Sequence, residues 1–229
     1  MIAVEHVETW GFAHAIRGMR NPKNSWHMTD TIHGEYYGKN EDGRDIIVQY
    51  DVPHIGQNDL QLMKSLAKAG VEHRTYARMI QVSMDIVAPL YWWKEMDRYT
   101  VGKSQVSCST MHKIVSKEFE INDFSHEHVD GELVAVHTYQ EEYATWDVLK
   151  LVVDCLNWNR RKYLETKDKK YWWQIIQLLP SSYNQRRTVC MSYEVVLKII
   201  KERTGHKLDE WNTFVEMLRE LPYIEELVQ

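Results

Sequence analysis

Five arginines, Arg17, Arg20, Arg186, Arg187 and Arg203, lie beside apolar or turn sequence rather than in i,i+4 pairs with carboxylates. A guanidinium presents a planar fork of donors that matches phosphate or carboxylate. As a set, these side chains point to an anionic ligand. Two tryptophan pairs, Trp92-Trp93 and Trp172-Trp173, accompany them in a chain with nine Trp and thirteen Tyr. Aromatics at that density suit core packing, a ring-stacking pocket wall or a subunit interface, and the sequence leaves all three open. His126-Glu127-His128 places two imidazoles at i and i+2, which on a strand share a face and could hold a metal. No third ligand stands at a recognisable spacing, so a solvated or hydrogen-bonded pair is the expected role. The sequence carries no Gly-rich phosphate loop, no G-x-S-x-G elbow and no HExxH helix.

At 229 residues the chain can bury one sizeable core, and a single domain over 1–229 is the simplest expectation. A net charge of −5 gives no overall reason to expect nucleic acid or a membrane as partner. No run reaches the roughly 18 apolar residues of a spanning helix. Charged residues occupy Met1–Thr9, where a signal peptide would be apolar. The odd number of cysteines, Cys108, Cys155 and Cys190, reads as reduced thiols, and the expected compartment is the cytoplasm.

These residues must be positioned by few regular elements. Val4–Met19 is mixed and apolar, and the polar stretch from Asn21 to Asn58 predicts a long insertion loop with a short strand at Asp45–Tyr50. Asn58 is the expected cap of a helix that presents Leu60, Met63, Leu66 and Ala67 and stops at Gly70. Met79–Val87 alternates Ile80, Val82, Met84 and Ile86 with polar residues, the clearest strand pattern in the chain. Pro89 predicts a helix start, and Gly102–Thr110 reads as a polar, Ser-rich segment. Helices are expected over Glu141–Glu165, Lys170–Leu179, Tyr193–Arg203 and Leu208–Leu221, with a short strand at Arg187–Met191.

Three stretches together resemble the flavin-dependent thymidylate synthases. The strand closing on Val82-Ser83 stands where that family closes a strand on a Ser-Arg pair. Tyr91 to His112 occupies the place of the signature R-H-R-x-x-S-x-N-E-x-S-x-R-Y. Leu178-Leu179-Pro180, Val189–Glu202, Arg203, His206 and Glu210-Trp211 follow the family's order of landmarks. The segments Trp-Trp-Lys-Glu, Ser-Cys-Ser-Thr-Met-His and His-Lys-Leu-Asp-Glu-Trp are similar to a divergent, phage- or prophage-like branch.

The resemblance implies an α+β fold with a central, mostly antiparallel sheet flanked by helices. It also implies a homotetramer, FAD as cofactor and reductive methylation of dUMP from methylenetetrahydrofolate. The flavin-gripping R-H-R triplet falls on Trp92, Trp93 and Lys94. Ser109 stands for the serine of S-x-R-Y, while the next Arg and Tyr become Met111 and His112. The family's N-x-R becomes Ser192-Tyr193-Glu194. Arg203 matches an arginine that contacts the pyrimidine nucleotide, and Gln177 lies near the place of another. The implied nucleotide residues are therefore Arg203, Ser109, Gln177, His112 and Arg187, and the implied cofactor residues Trp92, Trp93, Lys94 and Ser192. Each lost guanidinium removes charge-assisted bonds of about 1.5–3 kcal/mol, and Glu194 adds repulsion toward a phosphate. The rewriting supports a second expectation, a non-catalytic protein of phage or prophage type that sequesters a nucleotide or nucleotide-derived signal. The third is a structural homo-oligomer.

Overall fold

A computed structural model describes residues 2–39, 45–49, 52–138 and 141–228, with backbone alone for 35–39 and 45–49. Strand β1 (Ala3–Trp10) turns at Gly11 into helix α1 (Phe12–Arg20). Gly11 has φ 94°, and a Cβ there would collide with the Met79 carbonyl oxygen, so the turn requires glycine. The predicted insertion loop contains an antiparallel hairpin, with β2 (Glu35–Lys39) paired to β3 (Asp45–Gln49) in the register Glu35↔Gln49 to Lys39↔Asp45. β3 is the expected strand, except that Tyr50 lies outside the described residues. β2 was not legible because Glu35-Tyr36-Tyr37-Gly38-Lys39 lacks period-two alternation.

Helix α2 (Gln57–Ala69) corrects a second expectation. Its N-cap is Gly56 rather than Asn58, and the Asp30 carboxylate accepts from the Asn58 and Asp59 N–H groups at 2.9 and 3.1 Å. The cap therefore comes from a residue distant in sequence, which local spacing does not reveal. In β4 (Gln81–Pro89) Val82, Met84, Ile86 and Ala88 are all buried, as the alternation predicts. Helix α3 (Leu90–Met96) begins after Pro89. The Ser-rich segment is strand β5 (Lys103–Ser107), hidden in the sequence because its side chains are almost all exposed.

Helix α4 (Thr110–Lys113) follows, then an antiparallel hairpin of β6 (Val134–His137) and β7 (Glu142–Ala144). Helices α5 (Thr145–Thr166) and α6 (Lys169–Leu178) lead to β8 (Asn184–Ser192). Helices α7 (Tyr193–Arg203), α8 (Asp209–Arg219) and α9 (Ile224–Leu227) close the described chain. The main sheet has the order β1-β4-β8-β5. The chain is thus α+β, with helices and antiparallel sheet, as the resemblance implied.

Two compact units divide the residues. The first comprises 1–3, 86–98 and 106–187; the second comprises 4–85, 99–105 and 188–229. The first has a core of Ile114, Phe119, Phe124, Val153, Leu156 and Ile175. There the Asn157 side-chain amide brackets the Phe119 backbone, donating to its oxygen and accepting from its N–H, both at 2.8 Å. The core of the second is built around Phe12, Ile16, Met63, Ile80, Tyr193, Trp211 and Phe214. No described helix is long and apolar enough to cross a membrane.

Candidate functional site

In the first unit, Ser109 caps α4: its hydroxyl accepts from the His112 N–H at 3.2 Å. The segment before it is tied to β8, because the Cys108 N–H donates to the Arg186 carbonyl at 3.0 Å and the Gln185 amide donates to the Cys108 carbonyl at 2.9 Å. A cleft of about 370 Å³ lies beside these bonds. Val87, Ile114, Phe119 and Tyr183 supply its apolar lining, and Ser109, Thr110, Lys113, Ser116, Lys117 and Arg186 bring hydroxyls and cations. Lys117 is neutralised by Asp123. The Lys113 ammonium has no partner among the described residues. Three cations against one carboxylate, with hydroxyl donors beside them, suit a phosphate or carboxylate.

Trp92 and Trp93 are buried side chains, 0% and 1% exposed, set edge to face with ring centroids 4.9 Å apart. The Trp93 indole N–H donates to the Gln185 carbonyl at 2.9 Å. Arg187 lies 4.3 Å over the Trp93 ring, and its guanidinium reaches Asp97 at 2.8 Å and the Gln185 side chain at 2.9 Å. Both rings are core in this chain, so neither offers a face for stacking, and the residues at the triplet position do not form a cradle for FAD. Lys94 and His112 are exposed, as is Gln177 on α6.

Arg203 and Ser192 belong to the second unit. The Arg203 Nε donates to the Tyr99 hydroxyl at 2.9 Å, and Nη1 stands 3.0 Å from His206 Nε2. Its guanidinium lies 4.4 Å over the Trp211 ring. The Tyr99 hydroxyl donates onward to Glu202 at 2.9 Å. Burial pushes that phenol above its ordinary pKa, with the Arg203 hydrogen bond acting against it. Ser192 is buried, and its backbone N–H donates to the Gly102 carbonyl at 2.9 Å. Arg203 is therefore pre-oriented, whereas Ser192 serves the backbone.

No protein-family model matches the chain, and no curated protein matches it in sequence. Solved structures do. The flavin-dependent thymidylate synthase of Helicobacter pylori, solved with FAD and dUMP, superposes with a TM-score of 0.63 at 16% identity, covering 100% of this chain and 97% of that one. A second structure of the Helicobacter pylori enzyme with FAD and dUMP gives 0.62 at 14%, with the same coverage. A UMP/dUMP methylase from Streptomyces cacaoi, bound with 5-Br dUMP, gives 0.59 at 13%, covering 99% and 93%. The chain has the flavin-dependent thymidylate synthase fold.

On the flavin-dependent thymidylate synthase fold, several sequence expectations resolve differently. Glu194, expected to repel a phosphate, makes a two-pronged pair with Arg74, at 2.7 and 2.9 Å. Arg74 carries no local signal, because its partner lies 120 residues away. Arg20 is withdrawn from any ligand: it is buried, and its Nε donates to Asp59 at 2.6 Å. Arg17 is exposed. His126-Glu127-His128 lies outside the strands, His126 Nδ1 is 2.7 Å from the Phe124 carbonyl oxygen, and its ring sits by Trp146. Among the described residues no group of three or more His, Cys, Asp or Glu is arranged to hold a metal. Lys113, Lys117 and Thr110 were missed. Their signal was the position of the two lysines one and two turns beyond Ser109.

Proposed function

We propose that this protein binds a dUMP-like pyrimidine nucleotide and that the Ser109 cleft takes its phosphate. The observation that carries this reading is the unpartnered Lys113 ammonium beside the Ser109 and Thr110 hydroxyls and Arg186. An ammonium without a counter-ion gains a charge-assisted bond on meeting a phosphate. The apolar wall of Val87, Phe119 and Tyr183 offers surface to a planar base. Arg203, laid on Trp211, is a second candidate nucleotide contact by its match to the family's arginine. The fold neighbours support the nucleotide class, since they were solved with dUMP or a bromo analogue.

Reductive methylation of dUMP is the activity this fold would carry with FAD, whose chemistry is hydride transfer. The burial of Trp92 and Trp93 favours nucleotide binding without turnover, and with it the sequestering reading. Assembly as a tetramer and origin in a phage-like branch rest on the family resemblance alone. The deciding experiment combines thermal melting of the purified protein in dUMP and in FAD with an assay for dTMP from dUMP, FAD, reduced nicotinamide and methylenetetrahydrofolate. A melting temperature that rises with dUMP, and does so no longer in Lys113→Glu, sustains the cleft. No shift with dUMP overturns it, and dTMP formation overturns the non-catalytic reading.

A further inference from the structure

The overall charge of −5 conceals a local reversal at the turn joining α5 to α6. Residues 158–173 carry six lysines and arginines against two carboxylates, interleaved with Trp158, Tyr163, Tyr171, Trp172 and Trp173. Some of the cations are spoken for: Lys162 pairs with Glu165, Lys170 with Asp168 and Arg161 with Glu118. Lys167 and Lys169 have no carboxylate partner among the described residues and lie over rings instead. Lys167 is 6.0 Å from the Tyr163 centroid, and Lys169 is 5.9 and 5.6 Å from those of Trp172 and Trp173. Trp158 and Trp173 remain 48% and 44% exposed. Trp158 packs edge-on against Tyr171 at 5.8 Å, which joins the two helices into one aromatic surface.

We propose that this basic, aromatic tip of the α5–α6 hairpin binds single-stranded nucleic acid. Exposed indoles give stacking platforms that accept any unpaired base, and unpaired ammonium groups alongside them track the phosphates. A duplex hides its base faces and uses only the charge. A protein partner would be expected to meet a surface depleted in lysine. The tip lies apart in composition from the Ser109 cleft, whose cations sit with hydroxyls rather than rings, so this inference stands without the nucleotide reading.

Fluorescence anisotropy of a labelled oligodeoxythymidine, titrated with the full chain at low and physiological salt, tests it. Binding that weakens steeply with salt is expected. Trp173→Ala should weaken it about tenfold and Trp173→Phe should restore most of the loss, because the phenyl ring still stacks. The double variant Lys167→Glu, Lys169→Glu should weaken binding about as much or more. All these side chains are exposed or solvent-facing, and unchanged thermal melting would show that the variants fold. The proposal fails if the oligonucleotide does not bind at low salt, or if the tip variants bind it as well as the natural chain. It fails equally if the tip variants change binding to phosphatidylserine vesicles, or sedimentation of the protein alone, without changing oligonucleotide binding.

Discussion

The Arg20–Asp59 knot in the second unit and the Ser109 cleft in the first use the same kinds of groups to opposite ends. In the knot, Asp59 is 0% exposed and Arg20 3%. Asp59 accepts from Arg20 Nε, from the Thr29 and Thr31 hydroxyls, and from the Asp30 and Thr31 N–H groups, at 2.6 to 3.1 Å. Nearly every lone pair has a donor, so the carboxylate fastens residues 29–31 to α1 and α2. In the cleft the cations outnumber the carboxylates and Lys113 is uncommitted. A buried carboxylate whose acceptors are filled specifies structure; an ammonium without a counter-ion retains capacity for a ligand. The five arginines read together in the sequence were thus of different kinds: Arg20 is committed to a buried carboxylate, while Arg186 lines the cleft.

The largest effect should come from breaking the knot. Asp59→Ala leaves a buried guanidinium uncompensated and should cost about 3–5 kcal/mol, read as a lowered urea midpoint. Nucleotide binding by whatever fraction stays folded should be unaffected. The same carboxylate predicts a pH dependence. Burial alone would raise its pKa, but hydrogen bonds from Thr31, Thr29, Arg20 and the Asp30 N–H together hold it below the ordinary value. A depressed folded-state pKa means that the unfolded chain binds the proton first. The stabilisation is therefore complete above the unfolded pKa, about 3.9, and is lost as pH falls from there through the lower folded value. Urea midpoints measured from neutral to acid pH should decline in that window, and Asp59→Asn should flatten that decline while lowering stability throughout.

Arg74→Ala tests an intermediate case. Its two bonds to Glu194 are partly buried, with side chains 17% and 15% exposed. Removing the guanidinium should cost about 1–3 kcal/mol, because it strands a half-buried carboxylate. Glu194→Gln, which keeps the shape and one acceptor, should cost less. Equal losses in the two variants would show that the charge pairing alone holds the pair, whereas a loss confined to Arg74→Ala would assign it to packing of the Arg74 stem.

Local pattern carried much of the fold. β4 was legible because its alternation is uninterrupted, and α7 and α8 because their apolar residues recur at helical spacing. β5 was not, since an edge strand with exposed serines lacks the pattern that burial imposes. The caps and pairs that mattered most, Asp30 on α2, Asp59 on Arg20 and Arg74 on Glu194, join residues 28 to 120 positions apart, beyond any spacing rule. At the site, Ser109 was reached only through its match to the family's serine, whereas Trp92 and Trp93 misled. Adjacent indoles do not reveal whether their faces meet solvent or core, and here both are enclosed.

In the cleft, substitutions should move binding more than stability. Lys113→Glu should weaken dUMP by about 1.5–3 kcal/mol, roughly 10- to 150-fold, with stability changed by no more than about 0.5 kcal/mol. Ser109→Ala should act more weakly and on both properties. The hydroxyl oxygen accepts from the His112 N–H, and its proton stays available to a phosphate. Losing the acceptor removes the cap of a single-turn helix, at about 0.5–1 kcal/mol of stability. Losing the donor removes one hydrogen bond to the ligand, at about 0.5–1.5 kcal/mol of affinity. Ser109→Thr keeps both functions and should recover both losses, measured by urea denaturation and by calorimetric titration of dUMP. A stability loss without an affinity loss in Ser109→Ala would make Ser109 a cap alone, and the cleft would then hold its anion through Lys113 and Arg186.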